Sequence, residues 1–219
     1  MADDLKYGYK GAEPTQSFGS NTGVFDPNDI NNLIADNKWT SFGQLELIET
    51  QTVSGVASVE FTNLKTDIYN VHFMTMSDYV PTTYGKIIKV QLAESGTYET
   101  ASVYQFAEQY NGLSAGSASF GETKSTGTNS FNCFAQQTTT NGTNDSWNGY
   151  CYLYNLGDSS KYSFSTYQTS STFVNSVQYY SVFGSSVLPQ ASQVDKIKIF
   201  SASGNITNAS ISLYGIRYS

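Results

Sequence analysis

From Gln44 onward, apolar and polar residues alternate along most of the chain. In "QLELIETQTV" Leu45 and Leu47 fall on one side. "IYNVHFMTM" puts Tyr69, Val71 and Phe73 on one face and Asn70 and His72 on the other, and "KIIKVQL" aligns Ile88, Val90 and Leu92. The period of two returns in "ASVYQFAEQY", "NSFNCFAQ", "GYCYLYNL", "KYSFSTYQ", "VQYYSVF", "DKIKIF" and "ASISLYGIRYS". Gly, Asn, Ser and Asp clusters part these runs, as in "SGTYE" and "LGDSSK". Roughly ten short strands with turn signals between them predict an all-β, antiparallel β-sandwich of jelly-roll-like kind over residues 44–219. Residues 112–130, "GLSAGSASFGETKSTGTNS", are low in complexity and read as a long loop or a weak edge strand.

Residues 1–43 follow neither period. Tyr7, Tyr9, Phe18 and Phe25 stand singly among Gly, Ser and Pro, which suggests an extended arm lying against another surface. One short helix is predicted at about 27–36. Asp26 suits the N-cap, Pro27 the first helical position and Asp29 the positive end of the dipole. Ile30, Leu33 and Ile34 form its apolar stripe. With the four arm aromatics they are the candidate residues for docking on a partner.

Composition sharpens the fold and narrows the function. Abundant Tyr, Phe and Thr suit pleated, half-buried surfaces, and charged residues are only 13% of the chain, so disorder is excluded over most of it. A net charge of −7 argues against nucleic-acid binding, which needs a basic footprint. No apolar run has the length of a membrane span, and "MADDLKYGYK" lacks the features of a secretory signal, so synthesis and residence in a cytoplasm are expected.

Reactive constellations are scarce. The single histidine, His72, is expected to be structural, and no GxSxG elbow accompanies it. Glu94, Glu99, Glu108, Glu122, Asp145 and Asp158 sit near turns, where acids cap or solvate, although a glycosidase-like pair among them stays open. Cys133 and Cys151 read as buried thiols, with a disulfide between neighbouring strands as the alternative. No metal site and no cofactor is expected. Tyr150, Tyr152 and Tyr154 share one face of "YCYLYN". That stripe is either half of a two-sided core, covered when subunits trimerise, or, with Trp147, an aromatic surface for recognition.

The segment "DKIKIFSASGNITNASISLYGIRYS", residues 195–219, resembles the closing strands of virion structural proteins of tailed phages, especially those infecting marine cyanobacteria. Their recurring pattern is a strand, an "S-x-S-G-x-I" turn and a final "L-Y-G-I-K/R"; Asn208 and Ala209 occupy positions where those proteins have small residues. "GQLELIETQTVSGVASVEFTNL", "LAESGTYETASVYQFAEQY", "YLYNLGDSSKYSF" and the opening "LKYGYKGAEPTQSFGSNTGVFDPNDI" are similar to them in the same order. The resemblance implies a non-enzymatic β-sandwich part of a phage particle. The expected role is a non-enzymatic exterior capsid decoration protein, with other virion proteins as partners and three copies around an axis. The alternative is a tail-fibre tip recognising host glycans. Gly215 is expected to host a bulge that turns Ile216 and Tyr218 onto the face of Ile211 and Leu213.

Overall fold

The computed structural model describes residues 16–17, 20–21, 27–35, 45–114, 116–134, 141–142, 144–173 and 178–216. The chain divides into two compact units, Met1–Gly43 and Gln44–Ser219. In the first, β1 (Gln16–Ser17) and β2 (Ser20–Asn21) pair antiparallel, a hairpin too short to leave a period in the sequence. Helix α1 spans Pro27–Ala35. Pro27 loses no hydrogen bond at the first helical position, and Asp29 lies in the first turn. No residue of α1 is buried.

The second unit contains β3 (Leu45–Val56), β4 (Ser58–Phe61), β5 (Val71–Pro81), β6 (Ile88–Glu94), β7 (Thr97–Tyr98), β8 (Tyr104–Ser114) and β9 (Ser117–Thr128). It continues with β10 (Trp147–Tyr154), β11 (Ser163–Phe173), β12 (Gln178–Leu188), β13 (Val194–Ser201) and β14 (Ile206–Ile216). An eight-stranded antiparallel sheet has the order β3-β14-β5-β10-β11-β12-β8-β9, and a four-stranded one the order β4-β13-β6-β7. The chain passes repeatedly from one sheet to the other, and the two enclose a single apolar core, as in a β-sandwich. Met74 and Met76 of β5, Cys151 and Leu153 of β10 and Ile211 and Leu213 of β14 fill it from the large sheet. Val59 and Phe61 of β4, Val90 and Leu92 of β6 and Ile197 and Ile199 of β13 meet them from the small one. Alternation along each strand assigns these residues to one face, and burying each of the larger ones contributes ~1.5–3 kcal/mol.

Several local expectations change. Of the two forms expected for residues 112–130, the edge strand is the one found, over the twelve residues 117–128. "NSFNCFAQ" forms no strand among its described residues: Phe131 makes one isolated bridge to Val90, and Phe131, Asn132, Cys133 and Phe134 are buried irregular backbone. Tyr69 precedes β5 and is buried near His72, with ring centroids 6.1 Å apart, instead of sharing the side of Phe73. Leu45 and Leu47 are 46% and 57% exposed, because their parity on β3 faces outward.

The end of the chain differs most. The turn at Ser203–Gly204–Asn205, with Gly204 at φ 76°, carries the chain from the small sheet into the large one. There β14 lies between β3 and β5. The register shift near its end is a bulge on β3, where Ile48 has no opposite residue, since Leu213 faces Glu49 and Tyr214 faces Leu47. Gly215 continues the buried parity of Ile211 and Leu213, while Ile216 stays on the other face; Tyr218 lies outside the described residues. What requires glycine is the Tyr69 ring lying against it: an added Cβ would stand 2.2 Å from that ring. The Tyr69 hydroxyl reaches across to donate to Glu46 on β3 at 2.6 Å.

Gly215→Val should therefore destabilise the sandwich by about 1–3 kcal/mol, the usual cost of overpacking. In a Tyr69→Ala background the same substitution should cost much less. Urea unfolding of the four proteins of this double-mutant cycle checks it; additive effects would exclude the ring contact as the cause.

Candidate functional site

Alternation in "WNGYCYLY" sends Trp147, Cys151 and Leu153 into the core and Tyr150, Tyr152 and Tyr154 to the outer face of the large sheet. Neighbouring strands add Phe73 from β5 and Tyr214 from β14. The Phe73 ring lies 4.9 Å from Tyr152, 5.8 Å from Tyr150 and 6.1 Å from Tyr214, tilted at 41–45° to each. Tyr152 stacks on Tyr154 at 6.5 Å. These rings are part-exposed, and each contact of this tilted kind contributes ~0.5–1.5 kcal/mol. Within the sandwich unit the rings stand outside the core that the two sheets enclose. Trp147 does not belong to that surface: it is only 1% exposed, because it shares the parity of Cys151 and Leu153.

Polar groups on this face bond mainly to one another. Tyr150 donates to Gln168 Oε1 at 2.9 Å, and Tyr154 and Thr166 share a bond of 3.2 Å. Thr50 pairs with Ser212 at 2.8 Å and Thr52 with Ser210 at 3.2 Å. The register places Leu47, Tyr214, Phe73, Tyr152, Thr166, Ser185 and Ala107 in one row across seven strands. Outward positions on β3, β14, β5, β10, β11, β12 and β8 carry no acidic or basic side chain, apart from Asp78 in the irregular part of β5. Glu122 and Lys124 pair with each other on the edge strand β9, at 2.6 Å. Shallow grooves cross the face. One of about 420 Å³ runs past Phe73, Tyr150, Gln168 and Tyr179, and one of about 610 Å³ past Phe164, Val187, Ala107 and Lys124. The outer face of the small sheet is different: Glu60, Lys89 and Lys198 project there, with the Lys198 ammonium 4.3 Å from the Tyr98 ring.

Phe73, Tyr179 and Tyr214 extend the stripe beyond its sequence-predicted members. Their common parity with Tyr150 could be assigned only once strand register was known. Of the docking candidates, Ile30 and Leu33 are half-buried and Ile34 is 54% exposed, whereas Tyr7, Tyr9, Phe18 and Phe25 lie outside the described residues.

The titratable groups are engaged in the framework. His72 is fully buried and its Nε2 donates to the Leu64 carbonyl at 2.7 Å. Burial lowers its pKa, opposed by that hydrogen bond. Cys133 and Cys151 are free and buried; burial, then the bond to Cys151, pushes the Cys133 thiol well up, away from nucleophilic use. Glu108 is buried and accepts the Tyr167 hydroxyl at 2.9 Å. Burial first, and then the Glu108 charge, raise the pKa of that phenol. Glu94 takes the Ser192 hydroxyl, and Glu99 accepts from the Ala101 amide and Gln190 at 2.7 and 3.1 Å. Asp158 accepts the Ser160 hydroxyl at 2.6 Å and then its amide at 2.9 Å, which lower its pKa to about 2, and Asp145 accepts from the Gly142 amide at 3.2 Å. Among the described residues no group of three or more His, Cys, Asp or Glu side chains could hold a metal ion, and no helix is long and apolar enough to cross a membrane.

Compared with models of known protein families the chain matches none, and no curated protein matches it significantly.

His72 gives the site's framework a pH dependence. Its folded pKa lies below the ordinary value of 6.5, so the unfolded chain binds the proton first. The stability His72 contributes is complete above 6.5 and is lost as pH falls toward the lowered folded value. The thermal midpoint should drop between pH 7 and pH 5, and His72→Gln, which keeps a donor for Leu64, should flatten that drop. An equal slope in both proteins would exclude His72 as its source.

Proposed function

We propose that the chain is a non-enzymatic structural protein of a tailed-phage virion, an exterior capsid decoration protein that docks through its first unit and projects the β-sandwich. The observation that carries this reading is the outer face of the large sheet, where aromatic rings and mutually bonded hydroxyls stand without charge. Such a surface is suited to packing rather than to reaction: interface centres are enriched in Tyr and Phe and depleted of charge. The resemblance of residues 195–219 to virion proteins supports the setting. The division of the chain at Gly43 supports a separate docking element, with Ile30, Leu33, Ile34 and the arm aromatics meeting other virion proteins. The sandwich is jelly-roll-like in this reading, with three copies around an axis. The protein is made in the host bacterial cytoplasm and resides in the virion, without nucleic-acid contact, membrane insertion or cofactor.

A tail-fibre tip that recognises host glycans is the second reading. The groove of about 420 Å³ favours it, since the Tyr150 and Tyr179 rings and the Gln168 amide all line it, the kinds of group that hold sugars.

Quantitative mass spectrometry of purified virions separates the two. A copy number comparable to the major capsid protein is expected; one comparable to tail proteins supports the tip, and absence from particles overturns both. Deleting residues 1–37 should leave a soluble β domain that no longer co-purifies with particles, and undiminished co-purification would exclude docking through the first unit.

A further inference from the structure

We propose that copies of this chain associate through the outer face of the eight-stranded sheet, over the seven strands beside the charged edge strand β9, centred on Tyr152. The inference deepens the structural reading above by naming the partner of that face as a second copy of the same chain.

Charge supplies the first argument. Each chain carries −7, so identical copies repel wherever acidic surfaces meet. A symmetric contact also brings a residue near the axis against its own mate, which penalises any charge there. Seven neighbouring strands keep their outward positions free of charge except at Asp78, whereas the small sheet presents Glu60, Lys89 and Lys198 on its outer side. Size agrees. The six spacings of about 4.8 Å between these seven strands and eight residues at about 3.3 Å give a face of roughly 29 by 26 Å. That is roughly 750 Å², close to the ~800 Å² that each partner contributes to a standard protein interface.

Two features favour a protein surface over a saccharide as the occupant. The hydroxyls of Tyr150, Tyr154, Thr50 and Thr52 already bond to neighbours on the same face, leaving fewer groups to read a sugar. Apart from the stacked pair Tyr152 and Tyr154, the rings also interlock at tilts of 41–83° rather than lying in one plane as platforms for pyranose rings. A second copy offers matching ring edges and needs no free donors.

Sedimentation equilibrium of the full chain tests this. The wild type should sediment as a multiple of 24.0 kDa, and Tyr152→Glu should fall to the mass of one chain. Cross-linking gives a second reading that survives any folding defect of that variant, because Cys133 and Cys151 are buried and leave an introduced thiol as the reactive one. A short bis-maleimide should join copies of Thr166→Cys, on the aromatic face, and should not join copies of Glu60→Cys, on the small sheet. A monomeric wild type overturns the proposal, and one that is also retarded by immobilised neutral polysaccharide assigns the face to sugars instead. An oligomer that persists in folded Tyr152→Glu, or that cross-links through position 60 and not 166, overturns it equally. Virion copy number is independent of these outcomes, so this inference and the virion assignment fail separately.

Discussion

Eight strands bonded side by side make a broad sheet with two faces, and the four-stranded partner is too narrow to cover either of them whole. Burying the inner face under that smaller sheet is the constraint on which the rest of the fold depends. Where the small sheet ends, irregular backbone continues the cover. Phe131 bonds its amide to Val90 of β6 at 2.8 Å, and the next residue bonds to the large sheet, its amide to Ser186 at 3.1 Å and its carbonyl to Ser165. This segment thus links the small sheet to the underside of β11 and β12, and it buries Phe131, Cys133 and Phe134 on the way. Toward the β8–β9 edge, Tyr110 and Tyr180 stay half-buried against each other, 5.9 Å apart.

That arrangement explains why the polar residues of the interior serve the framework. Tyr104 accepts the Leu92 amide at 3.2 Å and donates to the Glu99 carbonyl at 3.1 Å, joining β6 to the approach of β8. Glu108 and Tyr167 bond beneath the large sheet, and His72 ties β5 to the carbonyl of Leu64. Buried polar groups left without partners cost more than the bonds they make are worth, so each such pair is a condition of closing the sandwich.

The outer faces follow opposite rules. On the small sheet, lysines and Glu60 project into solvent and a cation lies over a ring. On the large sheet, hydroxyls and aromatic rings satisfy one another. A solvent-facing surface gains nothing from seven strands without charge, whereas a packing surface does, and the functional reading rests on this contrast.

Alternation along "KIKIF" and "ISL" specified inward and outward sets of residues, and Pro27 with the Ile30–Leu33 spacing specified the short helix, because both depend only on local geometry. The stripe of Tyr150, Tyr152 and Tyr154 was legible for the same reason, and the parity shared by Trp147 and Cys151 already held the signal that Trp147 is buried. Period two does not say which side is the core. In "VHFMTM" both parities are apolar, so the assignment of Phe73 to the outer face and Met74 to the inner one awaited the packing of the sheets. Alternation in "NSFNC" imitated a strand, whereas Phe131, Asn132, Cys133 and Phe134 are buried in succession on irregular backbone. The sequence by itself determined an all-β chain with one short helix and little reactive chemistry. Only the tertiary structure decided that Tyr69 lies against Gly215, that β14 sits inside the large sheet, and that Phe73 and Tyr214 join the tyrosines. Those relations run between residues distant in the chain, and strand register, not local pattern, sets them.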